Sequence, residues 1–121
     1  MEHKRIGTIK KNVILILGLD IPDGIPIYLG QTNIQHMQNK HPSDYQKYGD
    51  KISDILENPD YIGLNPADGS LEYVKEYMMD NEFVKVAVRV SGNDTYFARS
   101  LYILNNNRVQ NFIKKGTLIK V

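Results

Sequence analysis

The chain has 121 residues, no cysteine, and 15 basic against 14 acidic residues, for a formal net charge of +1. That length suits one domain, residues 1–121, able to bury a core without staples. A disulfide framework and a thiolate zinc site are excluded, and any nucleic-acid contact must rest on a local basic patch rather than on the net charge.

Arg5 to Lys10 is read as a short strand. "KNVILILG" is a continuous apolar run that periodicity cannot assign, but Gly18 just beyond it suits a helix end, so a helix is expected. The run Val13–Leu19 is too short to span a bilayer, and Asp20, Ile21, Pro22 and Asp23 follow it where a signal peptide would place small residues. The expectation is a soluble, unexported chain that makes no use of a membrane.

"IPIYLG", bounded by Gly24 and Gly30, reads as a strand. Thr32 with Gln35 matches a capping box, so a helix carrying Ile34 and Met37 is expected from Thr32 to about His41, where Pro42 disfavours continuation. Ser43 with Gln46 repeats the box. Tyr45, Tyr48, Ile52, Ile55 and Leu56 then mark one apolar face of a second helix, stopped at Asn58 and Pro59. "YIGLNPADGS" is a strand edge and turn, and "LEYVKEY" a strand.

"FVKVAVRVS" alternates strictly, with Val84, Val86, Val88 and Val90 on one face and Lys85, Ala87 and Arg89 on the other. "SGND" turns the chain and "TYFARSLYIL" returns. If Val90 opposes Thr95, then Arg89 opposes Tyr96, Ala87 opposes Ala98 and Lys85 opposes Ser100. The valine face, with Phe97 and Leu101, is then core. The other face carries Lys85, Arg89, Tyr96, Ser100 and Tyr102 around two alanines, and Arg99 falls awkwardly on the core side. "NNNRVQNFIKKG" is a helix closed by Gly116, and "TLIKV" a last strand. Helices first and an antiparallel sheet after them make an α+β fold.

The polar hairpin face has two readings. One is a solvated outer face. The other is a phosphate floor, on which Arg89 offers a planar fork and Lys85 a point charge. His36 and His41 are likewise open. Histidine titrates near neutrality, so a pair can serve as acid and base. On an ideal helix, however, the two point about 140° apart, and His41 would share a face with Ile34 and Met37 in a structural role. A zinc site is the weakest reading, because the spacing is not i,i+4 and no third ligand is near. His3 is set aside as part of a frayed end.

The succession "HMQNKHP", "ILENPDYIGLNP", "VKVAVRVS" and "YFARSLYIL", from about Gly30 to Lys115, resembles small phage and mobile-element domains classed with the barnase–EndoU–colicin–RelE-like nucleases. The resemblance implies a helical N-terminal half packed on a curved antiparallel sheet. It also implies metal-independent RNase chemistry needing no cofactor: the 2′-hydroxyl attacks with histidine acid and base. Mapped onto this chain, His36, His41, Arg89 and Ser100 become the expected catalytic residues. Arg99 maps with them as a substrate-binding residue, and the residues themselves add Tyr96 and Tyr102 for stacking on or bonding to a base and Lys40 and Lys85 for long-range attraction. The partner expected is RNA, tRNA or another single-stranded RNA. An antitoxin, immunity or phage structural protein is a second partner class, and the location is cytoplasmic or phage-associated. The rival from another class is a catalytically inactive RNA- or protein-binding module of the same fold; a nucleotide-binding role is a more distant third.

Overall fold

The computed structural model describes residues 3–121. Its strands are β1 (His3–Ile9), β2 (Ile25–Gly30), β3 (Tyr61–Leu64), β4 (Leu71–Tyr77), β5 (Glu82–Val90), β6 (Tyr96–Leu104) and β7 (Leu118–Lys120). Its helices are α1 (Lys11–Leu17), α2 (Gln31–Lys40), α3 (Pro42–Tyr48), α4 (Ile52–Glu57) and α5 (Asn106–Lys115), with a 3-10 turn over Gly49–Lys51. The strands form one sheet in the order β1-β2-β6-β5-β4-β3-β7. The fold is α+β, as expected.

Two features of the expected architecture need correction. The N-terminal half is not simply helical: the chain starts with a strand, and β1 and β2 pair with each other at one margin of the sheet. Ile9 and Ile27 are fully buried there, so these strands help to enclose the core. Nor is the sheet wholly antiparallel, because β2 runs parallel to β6 at Ile27–Tyr96 and Tyr28–Phe97. Only those two positions pair. At Gly30 the chain turns directly into α2, and α2 and α3 pack beside β6. Asp44 of α3 accepts the backbone N–H of Ile103 at 3.0 Å, so a side chain satisfies a donor that no strand reaches.

The helix ends differ from the capping boxes expected. Gly30 is the N-cap of α2, and its N–H donates to the Asn33 side chain at 2.8 Å, so Asn33 does the work assigned to Thr32 and Gln35. Pro42 is the first residue of α3, where its missing N–H costs nothing. The long second helix is interrupted at the 3-10 turn. Gly18 (φ 65°) and Gly116 (φ 77°) end α1 and α5 in the left-handed region, as their positions implied.

The valines of β5 behave as their alternation required. Val84, Val86 and Val88 are fully buried with Ala98 and Leu101, in a cluster with Met37 of α2 and Ile52, Ile55 and Leu56 of α4. Each such burial stabilises by about 1.5–3 kcal/mol. At one end of the opposite face α5 covers Val74, Phe83 and Leu104 with Val109. That helix stops short of the rest of the face, where Glu72, Lys85, Ala87 and Arg89 line up with Ser100 and Tyr102.

Hairpin register also departs from expectation, in two steps. The turn holds three residues, Gly92 to Asp94, with Ser91 N–H bonded to Thr95 at 2.8 Å and Asp94 left-handed at φ 59°. Val90 therefore opposes Tyr96, and Arg89 opposes Phe97. The register then slips again between Ala87 and Val88, where Val88 opposes Ala98 but Ala87 opposes Ser100. Arg99 is the extra residue of this β-bulge. Tyr96 thus moves to the valine face and packs against the core, while Phe97 moves to the polar face. Ser100 and Tyr102 stay on the polar face, because two single-residue slips restore the alternation.

Candidate active site

The α2–α3 junction is built on one residue. His41 N–H donates to Met37 C=O at 3.0 Å, closing α2, and His41 C=O accepts from Tyr45 N–H at 2.9 Å, opening α3. Pro42 forces the break, and His41 takes φ −140°, ψ 69° instead of a helical conformation. Its exposed ring leaves the apolar face of α2 and stacks on Tyr102, centroids 4.9 Å apart. The 140° divergence of an ideal helix does not apply to a residue outside the helix.

His36 is exposed on α2 and lines a cleft of about 370 Å³ with Phe97, Arg99, Ser91 and His3. Phe97 and Tyr102 both lie on the polar face of the hairpin, by their pairing with Arg89 and Lys85. His41 therefore stacks on a β6 residue of that face near its Lys85 end, and His36 shares a cleft with Phe97 near its Arg89 end. Ser100, half-buried opposite Ala87, lies between them. His36 and Arg89 line different clefts, and neither cleft takes in His41 or Ser100.

Lys85 is not an exposed cation. It is 8% exposed, and its Nζ lies 2.7 Å from Glu72, itself 6% exposed. The ammonium also sits 4.8 Å from the centre of the Tyr102 ring. Burial pushes the Lys85 pKa down, but the hydrogen bond and charge of Glu72 and the Tyr102 hydroxyl push it up further, and the net shift is upward. Lys85 is thus fixed as a cation and already neutralised. It props Tyr102, which in turn backs His41.

Arg89 is exposed and lines a smaller cleft of about 230 Å³ with Asp20 and Asp68. The Asp68 carboxyl is held below its ordinary range, chiefly by hydrogen bonds from the Ser70 hydroxyl and N–H, with Arg89 and Lys85 adding attraction. Arg99 is exposed and, among the described residues, makes no ion pair. Lys40 is exposed in the last turn of α2. Among the described residues no group of three or more His, Asp or Glu side chains could hold a metal, and no helix is long and apolar enough to cross a membrane.

Residues 4–111 match a family model described as phage-Barnase-EndoU-ColicinE5/D-RelE like nuclease3. The chain belongs to this family. No curated protein and no solved structure matched it. Membership makes this a nuclease-type domain and agrees with the α+β sheet fold.

Three residues escaped the sequence reasoning. Glu72 gave no signal, because its partner lies on a neighbouring strand 13 positions away. Phe97 was lost through the register error. His3 was dismissed as terminal, although it opens β1 and packs edge-to-face on Phe97 at 5.1 Å.

Proposed function

We propose that this domain is a metal-independent ribonuclease that cleaves single-stranded RNA by attack of the 2′-hydroxyl on the adjacent phosphate. One histidine takes the 2′-hydroxyl proton as the O2′–P bond forms. The other gives a proton to the departing 5′-oxygen as the P–O5′ bond breaks. The products are a 2′,3′-cyclic phosphate and a 5′-hydroxyl. Arg89 and Arg99 supply guanidinium forks to the phosphate and its developing charge. Ser100 offers a hydroxyl between the histidines, and Tyr102 a ring for a base. The observation that carries this reading is that His36 and His41 border one open hairpin face on either side of Ser100.

The test is a cleavage assay on mixed single-stranded RNA in EDTA. Activity is expected without metal, cyclic phosphate should appear at the new 3′ ends, and a 2′-deoxy nucleotide at the cut site should block cleavage. Cutting of the deoxy substrate, or activity that returns only with zinc or magnesium, would overturn it.

A second reading has its own support. Among the described residues neither His36 nor His41 makes a side-chain hydrogen bond that would fix its tautomer. An inactive RNA- or protein-binding module of the same fold needs no such orientation. It predicts RNA affinity sensitive to Arg99→Ala, with no cleavage of any substrate.

A further inference from the structure

We propose that the cleft between the start of β1, α2 and the bulged stretch of β6 is a subsite for one nucleotide unit, with Phe97 and His3 taking the nucleobase and Arg99 its phosphate. This rests on the ribonuclease reading and deepens it by giving the RNA a defined anchoring point beside His36.

Three observations converge on the cleft. The first is its aromatic wall. Phe97 is met nearly at right angles by His3 (5.1 Å, 89°), and Tyr28 lies 5.9 Å from His3 and 6.3 Å from Phe97. Phe97 and His3 line the cleft itself. Bases stack on such rings whatever their sequence, since every base has a π-face. The second is charge. Arg99, His36 and His3 line the cleft, and among the described residues no carboxylate does. The larger concavity of about 620 Å³ carries Asp50 and no cation, and the cleft that takes Arg89 carries Asp20 and Asp68. A phosphate is attracted most to the first, because in the Arg89 cleft the carboxylates offset part of the positive charge and the largest concavity holds a carboxylate. The third is size: about 370 Å³ falls within the roughly 300–1,000 Å³ common for small-molecule sites. A guanidinium with no carboxylate partner among the described residues, beside an aromatic wall and two histidines, fits a phosphate joined to a flat heterocycle.

The experiment uses the full chain, labelled with nitrogen-15 and titrated separately with the four ribonucleoside 5′-monophosphates, ribose 5-phosphate and inorganic phosphate. At least one nucleotide should bind roughly tenfold or more tightly than ribose 5-phosphate, given the usual worth of one base–aromatic stack. Its shifts should centre on His3, His36, Phe97 and Arg99. Phe97→Leu should bring the nucleotide down to the affinity of ribose 5-phosphate, whereas Arg99→Gln should weaken both. If Phe97→Leu fails to fold, His3→Ala at the exposed start of β1 takes its place, and the wild-type comparison needs no variant. Equal affinity for every nucleotide and ribose 5-phosphate, or shifts elsewhere, would overturn the subsite. RNA cleavage by wild type is scored independently: a base-dependent cleft on a protein that cuts nothing defeats the nuclease reading alone, and cleavage without base dependence defeats the subsite alone.

Discussion

Removing the charge of Glu72 separates a structural Lys85 from a substrate-binding one. Glu72 and Lys85 are 6% and 8% exposed and 2.7 Å apart. Among the described residues Glu72 accepts one other hydrogen bond, from the Asn65 amide at 3.4 Å, and Lys85 is otherwise backed by Tyr102. Deleting one member of such a pair leaves a buried charge uncompensated and costs about 3–5 kcal/mol. A domain of this size has about 5–15 kcal/mol in total, so Glu72→Gln should lower Tm by roughly 10–20 °C. The double variant Glu72→Leu/Lys85→Met should recover most of this, because an apolar pair of similar volume often replaces a buried ion pair without loss. The pH profile gives a second readout. In wild type the Lys85 pKa lies above its ordinary value of 10.5, so its stabilising contribution is complete below that value and is lost as pH rises through the raised pKa. Without Glu72, burial dominates and the sign reverses, so the stability of Glu72→Gln should rise with pH in the alkaline range. Differential scanning calorimetry from pH 6 to 10.5 measures both. If Glu72→Gln changes Tm by less than about 2 °C and tightens RNA binding, Lys85 was available to substrate and the assignment of a closed pair is wrong.

His41→Ala should reduce RNA cleavage by roughly 10²-fold or more, as loss of a general acid or base does. It should cost at most about 1.5 kcal/mol of stability, the worth of one aromatic stack; a large drop in Tm with cleavage intact would make His41 a structural residue. Gly63 should not tolerate alanine, because a Cβ there would collide with the Thr117 carbonyl across the β3–β7 pairing. Gly63→Ala should destabilise by about 1–3 kcal/mol and speed hydrogen exchange in β7 relative to β5. The Glu82 carboxyl is held below its ordinary range by hydrogen bonds from Lys47 and Tyr48. Its contribution is therefore present above the unfolded carboxylate pKa and fades as pH falls through the lowered one, so Glu82→Gln should lower Tm at pH 7 and converge with wild type in acid.

The parts of the fold that local chemistry controls were legible. Pro42 broke the helix, Gly18 and Gly116 ended theirs, and alternating valines made β5 a half-covered strand. What could not be read depends on distant pairing. Nothing local says that β2 will lie parallel to β6 over two positions, or that Asn33 will outcompete Thr32 for the start of α2. Lys85 and Arg89 look alike in a strand pattern. One is buried against Glu72, which arrives opposite its face neighbour Ala87, and the other lies exposed opposite Phe97. The histidines were legible as residue types but not as positions. The side on which His41 projects is set by a single non-helical φ, ψ pair at the α2–α3 junction.

The Arg99 bulge shows how stability and the site come to be coupled. The fully buried residues of β6 on the valine face are Ala98 and Leu101, three positions apart. A flat strand can place two residues on one face only at even spacing, so strict alternation would have carried Phe97, Arg99 and Leu101 inward together. That would bury a guanidinium among valines, which is costly without a partner. One extra residue at Arg99 removes the conflict: it keeps Ala98 and Leu101 in the core and leaves Arg99 exposed at the cleft with His36 and Phe97. A failure of period-2 spacing within an otherwise apolar strand was therefore visible in "FARSL" itself. The charged residue at its centre is the one that the strand cannot place in the core.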